Sequence, residues 1–310
     1  MKNTEILHIP VLVEETINGL SIEPHDIYLD GTLGSGGHSQ YAIEKSGGYI
    51  TVIGLDKDSS AINRSENRLN NFITEKGYKN VKLLFKQISF RDLDKALNEF
   101  NIEKVNKILL DIGVSSEEID ISGRGFSFKR DEPLLMTLKD NIEPDDITAE
   151  IIVNNWGEET IADIIYAYGE ERYSRKIAKA IVENRVLKPI KTSFDLVEII
   201  NKAVPARYKN GKIHPATRTF QALRITVNDE LTALKEGIDK GFNSLKQGGR
   251  IAVISFHSLE DRIVKNFFRE YVKQGKASFI NRKPIVPSEQ EIEKNKRSRS
   301  AKLRIIEKIA

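Results

Sequence analysis

The first part of the chain alternates short apolar runs with longer stretches of helical period, the pattern of a parallel sheet whose strands are joined by crossover helices. The runs are 27–30 (IYLD), 49–56 (YITVIGLD), 81–86 (VKLLFK) and 107–111 (KILLD), and three of them end in Asp. A fifth run, 249–256 (GRIAVISF), follows a Gly-Gly pair about 140 residues further on. The span between the fourth and fifth runs lacks strand signals and predicts helices, most clearly at 149–168, 172–187 and 194–203. The expected architecture is therefore an α/β domain, 1–118 with 225–310, interrupted by a helical insertion over 119–224. A last apolar segment, 303–306, lies close to the end of the chain.

With 310 residues, of which 39% are hydrophobic, the chain is long enough to bury a sizeable core. No apolar run approaches the roughly 20 residues that cross a bilayer. Residues 1–10 (MKNTEILHIP) lack the basic-then-apolar order of a signal peptide. The expectation is a cytoplasmic protein without a membrane partner. The absence of cysteine is more restrictive: it removes disulfides, thiolate nucleophiles, Cys-held iron–sulfur clusters and Cys-based zinc sites. The histidines, His8, His25, His38, His214 and His257, are far apart and never at helical metal-ligand spacing, so no metal site is expected.

Net charge is only +3, from 48 basic and 45 acidic side chains, but its distribution is uneven. Residues 131–171 hold 12 acids against 1 base, residues 172–224 hold 13 bases against 3 acids, and residues 281–310 hold 9 bases against 4 acids. At the start of the basic block, Arg172, Arg175, Lys176 and Lys179 share one helical face, with Ile177, Ala178, Ile181 and Val182 on the other. A solvated face and a face that meets a phosphate backbone both fit that pattern.

The chemistry is concentrated at the ends of the strands. The first runs directly into GTLGSGGHS after Asp30, placing a Gly-rich turn where α/β sheets bind nucleotides. Asp56 ends the second strand 20 residues after Gly36, a position from which an acid accepts hydrogen bonds from ribose hydroxyls. A dinucleotide fingerprint would need a third glycine where Ser39 stands, which disfavours an NAD-dependent dehydrogenase, and no GxxxxGK[ST] is present to suggest an ATPase. The loop, D-x-T-x-G-x-G, is instead close to that of enzymes using S-adenosylmethionine, which carries no phosphate. Asp111 ends the fourth strand within LLDIGVSSEE, where Ser115 and Glu118 fit a capping box for a following helix. Phe90, after the third strand, is placed either to stack on an adenine or to fill the core.

Taken together, HIPVLVEE, DGTLGSGGHS, LLDIGVSS, RGFSFKRDEPLLM, YGEERYSRKIAKAIV, HPATRTFQALRITVNDEL and ISFHSLEDRIVK resemble the bacterial MraW/RsmH-type methyltransferases of small-subunit ribosomal RNA. The resemblance runs from His8 to the final apolar segment. It implies a Rossmann-like, S-adenosylmethionine-dependent methyltransferase fold with an inserted helical domain. It also implies methylation of the exocyclic N4 of a cytosine in the decoding region of 16S rRNA, with free rRNA or the small subunit as partner. By matching motif it implies cofactor contacts from Gly36, Gly37, His38, Asp56, Phe90 and Asp111. At Glu118 the family commonly has glutamine, so a cofactor contact there is the least secure.

Attack by an exocyclic amine needs no covalent adduct, whereas methylation at cytosine C5 uses a thiolate that this chain lacks. Asp111 is the first candidate for holding the amine, in the place where many amino-methyltransferases carry an Asp/Asn/Ser-Pro-Pro-aromatic motif; DIGVSS here has neither proline. His257 is a second catalytic candidate, although Ser258 with Asp261 reads as a capping box beside it. Candidates for RNA contact are Arg175, Lys179, Arg207, His214, Arg218 and Arg224, the last three also compatible with packing through Phe220, Leu223 and Ile225. The competing class is a non-catalytic RNA-binding ribosome assembly factor that retains the fold. A monomer and a homodimer are equally compatible with the sequence.

Overall fold

The computed structural model describes residues 10–113, 122–139, 141–211 and 213–310. The chain divides into two compact units, Met1–Gly113 with Leu231–Ala310, and Val114–Glu230. The second cut falls beyond residue 225 because a single helix, Ala216–Asn228, carries its hydrogen bonds across that point.

The first unit opens with helix α1 (Val13–Leu20) and then alternates strand and helix: β1 (Asp26–Asp30), α2 (Gly37–Lys45), β2 (Tyr49–Asp56), α3 (Ser59–Lys76), β3 (Asn80–Gln87), α4 (Leu93–Glu99) and β4 (Val105–Asp111). Local chemistry sets the helix ends. Asp58 accepts the Ser60 amide at the start of α3, and Gly77 closes the helix in the left-handed conformation, φ 68°.

The second unit contains α5 (Ala149–Asn155), α6 (Glu158–Gly169), α7 (Ser174–Leu187), α8 (Ser193–Ala203), the single turn α9 (Ala206–Lys209) and α10 (Ala216–Asn228). It has its own core, in which Ile161 and Ile165, Ile177 and Ile181, and Leu196 and Ile200 are spaced to share one face of their helices. The helix expected over 149–168 is two helices. Trp156 and Gly157 are extended, with ψ of 157° and 150°, so the apolar period continues while the hydrogen-bond ladder is broken.

The chain returns to the first unit through α11 (Glu230–Ser244), β5 (Leu245–Ser255), α12 (Ser258–Lys273), β6 (Ala277–Phe279), α13 (Glu289–Lys294) and β7 (Lys302–Lys308). The seven strands lie in the order β3-β2-β1-β4-β5-β7-β6. The first five run parallel, and β7 is antiparallel to both β5 and β6. Successive side chains alternate between faces: Leu29, Ile53, Ile108, Leu110 and Val253 enter one core, while Tyr28, Val52, Leu109, Ala252 and Ile254 enter the other. Both faces are covered, so these central strands are apolar along their length, which is why they stand out in the sequence. Three features do not stand out. Strand β6 is too short to show a period, β7 is visible only as an apolar segment, and β5 begins at Leu245, before the Gly-Gly pair. Gly248 there has φ 75°, and the pairing with β4 shifts register between Val105 and Lys107, so the glycines form a bulge inside the strand.

Candidate active site

The strand order reverses between β1 and β4, and in an open α/β sheet that switch point opens a crevice at the carboxyl ends of the strands. The loop after β1 is tied to the ends of β4 and β2 by three hydrogen bonds. Gly31 N donates to the Leu109 carbonyl at 2.9 Å, Leu33 N to the Leu55 carbonyl at 2.9 Å, and Gly34 N to Asp56 Oδ2 at 2.8 Å. Thr32, which stands where the usual loop has its first glycine, has a task of its own: its Oγ1 accepts the Asp111 amide at 2.7 Å. Gly36 has φ 73°, open to glycine at little cost, and a Cβ there would lie 3.3 Å from Ser65 of α3. The loop's shape is thus fixed by bonds within the chain.

Four acids lie at or just beyond these strand ends. Asp56 accepts from the Gly34 and Asp58 amides, yet burial still raises its pKa. Asp30 is buried, accepts from Ser39 Oγ at 2.8 Å and Thr32 N at 3.3 Å, and is pushed up to about 6, burial being the largest cause. Asp111 is pushed furthest, to about 8, by burial first and then by the charges of Asp30 and Glu260. Its side chain is 17% exposed, but Oδ1 is buried and has no hydrogen-bond partner among the described residues. Oδ2 lies 3.9 Å from Nδ1 of His38, a buried residue whose Nε2 is 3.0 Å from the Val11 carbonyl. A carbonyl only accepts, so Nε2 carries a hydrogen.

Glu260 follows β5. His257 is the N-cap of α12: its Nδ1 faces the Glu260 amide at 3.5 Å, while Glu260 Oε2 accepts from Phe256 N at 2.8 Å and His257 N at 3.2 Å. The capping box is therefore His257 with Glu260, one residue earlier than the Ser258–Asp261 box expected, and Asp261 pairs instead with Arg304 at 2.7 Å. Imidazole can take the N-cap role because its ring nitrogen accepts as a hydroxyl does. Phe90 lies in a 3-10 turn after β3, with its ring close to α11, where a Cβ at Gly237 would come within 2.5 Å of it. Glu118 lies outside the described residues.

The strand ends gather four acids with His38 and His257, while one cation, Arg68, bonds the Ser35 carbonyl of the loop at 3.3 Å. The excess of acids suits a cationic or donor-rich ligand. Sequence reasoning does not single out Asp30, Thr32, Ser39 or Glu260 as site residues. The Asp30 signal is present in its position before the Gly-rich turn, but nothing in sequence places Glu260 beside Asp111.

The basic candidates of the second unit differ from one another. Arg175 is 3.1 Å from Asp163 and Lys179 is 3.8 Å from Glu183, all four exposed. Arg224 is 19% exposed and bonds Glu230 through both Nε and Nη2 at 2.9 Å, which matches its charge and makes it a fastener between α10 and the start of α11. His214 stacks on Phe128, with ring centroids 4.5 Å apart, and burial lowers its pKa. Arg207 is exposed on α9, and Arg218 lies beside the Tyr208 hydroxyl.

Residues 5–309 match the model of the MraW methylase family. A protein of Clostridium botulinum (strain 657 / Type Ba4) named ribosomal RNA small subunit methyltransferase H is 44% identical over 98% of this chain and 100% of its own length. A protein of Heliobacterium mobile with the same name is also 44% identical, over 98% of this chain and 100% of its own. Among solved structures, that of an rRNA methylase from Streptococcus thermophilus aligns over 97% of this chain and 99% of its own, at 13% identity and a TM-score of 0.43, too distant to bear on the site.

Proposed function

The chain belongs to the MraW methylase family, and from that premise we propose that it methylates the exocyclic N4 of a cytosine in the decoding region of 16S rRNA, using S-adenosylmethionine. The relatives' names support an rRNA methyltransferase of the small subunit. The observation that carries the choice of atom is the buried, unpartnered Oδ1 of Asp111 at the switch point of the sheet, an acceptor suited to an amine hydrogen.

S-adenosylmethionine supplies a methyl group on a sulfonium, so transfer is an in-line displacement in which alignment does most of the work. The loop through Gly36, Gly37 and His38 would hold the donor, and Asp56 would accept from its ribose hydroxyls. A cytosine amine is a weak nucleophile because its lone pair is delocalised into the ring. Asp111 Oδ1 accepts one amine hydrogen, which favours a pyramidal nitrogen with its lone pair available. That pair forms the new N–C bond, the C–S pair stays on sulfur, and the amine gives up a proton. Asp111 would receive it as the carboxylate, its own proton having been released to solvent when the cationic donor binds beside it. His257, whose Nδ1 caps α12 and whose Nε2 lies 3.0 Å from Glu260 Oε1, is the second catalytic candidate.

The unit Val114–Glu230 is the RNA-recognition domain in this reading, on the strength of its basic block. The target base is taken from an unpaired stretch or flipped out, since its amine is otherwise paired. The test is to incubate the protein with methyl-labelled S-adenosylmethionine and small ribosomal subunits, then to digest the rRNA to nucleosides. Label in N4-methylcytidine is expected. Label at cytosine C5 would overturn the choice of atom, and RNA binding without any label would favour the assembly-factor class.

A further inference from the structure

At the junction of the acidic and basic blocks, Glu171 turns inward and Arg172 outward. Glu171 is fully buried, accepts the Tyr173 amide at 2.8 Å and receives the Tyr208 hydroxyl. The two tyrosines meet edge-on, with centroids 4.9 Å apart at 74°. The Arg172 guanidinium lies over both rings, 4.9 Å from Tyr173 and 5.2 Å from Tyr208, and Lys176 Nζ is 6.0 Å from the Tyr173 ring. Arg172 and Lys176 are both exposed, and among the described residues neither is within ion-pair distance of a carboxylate, whereas Arg175 and Lys179 each are.

We propose that Arg172 and Lys176, ordered by the Tyr173–Tyr208 pair, form a clasp for the phosphodiester backbone of an unpaired stretch of the substrate RNA. The inference deepens the rRNA reading above and rests on it. An exposed helix face ordinarily neutralises its cations with nearby acids, as the next turn does here. This turn instead buries its acid beneath the rings and leaves two positive charges facing outward. A guanidinium held over aromatic faces keeps its N–H edges available for bidentate contact with phosphate and has less freedom to lose on binding. Single-stranded RNA is the favoured occupant because an extended strand can place consecutive phosphates against two cations, Arg172 in the turn before α7 and Lys176 in its first turn.

The test measures binding of a fluorescein-labelled, unstructured cytidine-rich RNA, and of intact small subunits, by the full-length protein over a range of salt. For Arg172→Gln with Lys176→Gln, the salt slope is expected to become shallower by about 1.4, at about 0.7 for each of two phosphates. S-adenosylmethionine binding and the melting temperature should stay unchanged. Arg175→Gln with Lys179→Gln should give a smaller change in slope. Tyr208→Phe, which keeps the ring but loses the Glu171 bond, should weaken RNA binding less than Tyr208→Ala. An unchanged slope in the Arg172/Lys176 variant, while the wild type binds and methylates rRNA, would overturn the clasp alone. Loss of binding to subunits with full binding to RNA would assign the surface to a ribosomal protein and also overturn it. A wild type that binds no RNA at any salt would overturn the clasp together with the recognition role of its domain.

Discussion

Asp111 illustrates how much a residue's chemistry depends on its neighbours. In sequence it is one of several strand-end acids; in the folded chain its carboxyl is displaced from 3.8 to about 8 by burial and by Asp30 and Glu260. A raised carboxyl binds its proton more tightly folded than unfolded. Its contribution to stability is therefore fully present below about pH 4 and is lost as pH rises through about 8. We expect ligand-free Asp111→Asn to lose less melting temperature between pH 5 and pH 9 than the wild type, with Asp30 giving both proteins a common decline near pH 6. Equal declines in thermal unfolding would show that Asp111 is not the titrating group. A cationic ligand beside it should also release a proton on binding below pH 8, visible in calorimetry as a dependence on the buffer's ionisation heat.

Among the elements, α12 is the most instructive, because the histidine that precedes it is a catalytic candidate in sequence and a cap in the structure. His257→Ala should destabilise the protein by about 1 kcal/mol, the usual cost of losing an N-cap, and His257→Ser should recover most of it. Urea unfolding measures both. If Ser restores stability while kcat remains depressed more than about a hundredfold, the imidazole has a chemical role besides the cap. The elements read correctly from sequence are those buried on both faces, β1 to β4 above all, since a strand covered on both sides has no polar face to interrupt its apolar run. Those misread are where local signals conflict: Gly248–Gly249 resembles a turn but forms a bulge, and 149–168 keeps an apolar period across a broken helix.

For the whole molecule, a division of labour between the two compact units predicts separable losses. Asp56→Ala should abolish measurable S-adenosylmethionine binding, by at least about tenfold, because two backbone amides lose their acceptor and the loop after β1 loses its anchor. Its RNA affinity should remain within about twofold of wild type, since that term comes from phosphate contacts elsewhere. Titration calorimetry and RNA anisotropy on the same preparation check both. Simultaneous loss of both ligands would mean that the two functions are not separable. Among the described residues no helix is long and apolar enough to cross a membrane.

From sequence alone came the α/β class, the helical interruption, the Gly-rich loop with its paired Asp56, the family resemblance and the exclusion of thiol chemistry. All of these rest on local patterns or on composition, which survive without knowledge of distant contacts. Tertiary structure decided what depends on residues far apart in the chain. It buried Asp111 and set Asp30 and Glu260 near it, raising its carboxyl to about 8, gave Thr32 the strand-four amide to hold, and placed His257 as the cap of α12. It also separated the basic residues into those neutralised by neighbours, such as Arg224, and those left uncompensated, such as Arg172. Charge in a sequence is a count, whereas available charge depends on which acids the fold places within reach.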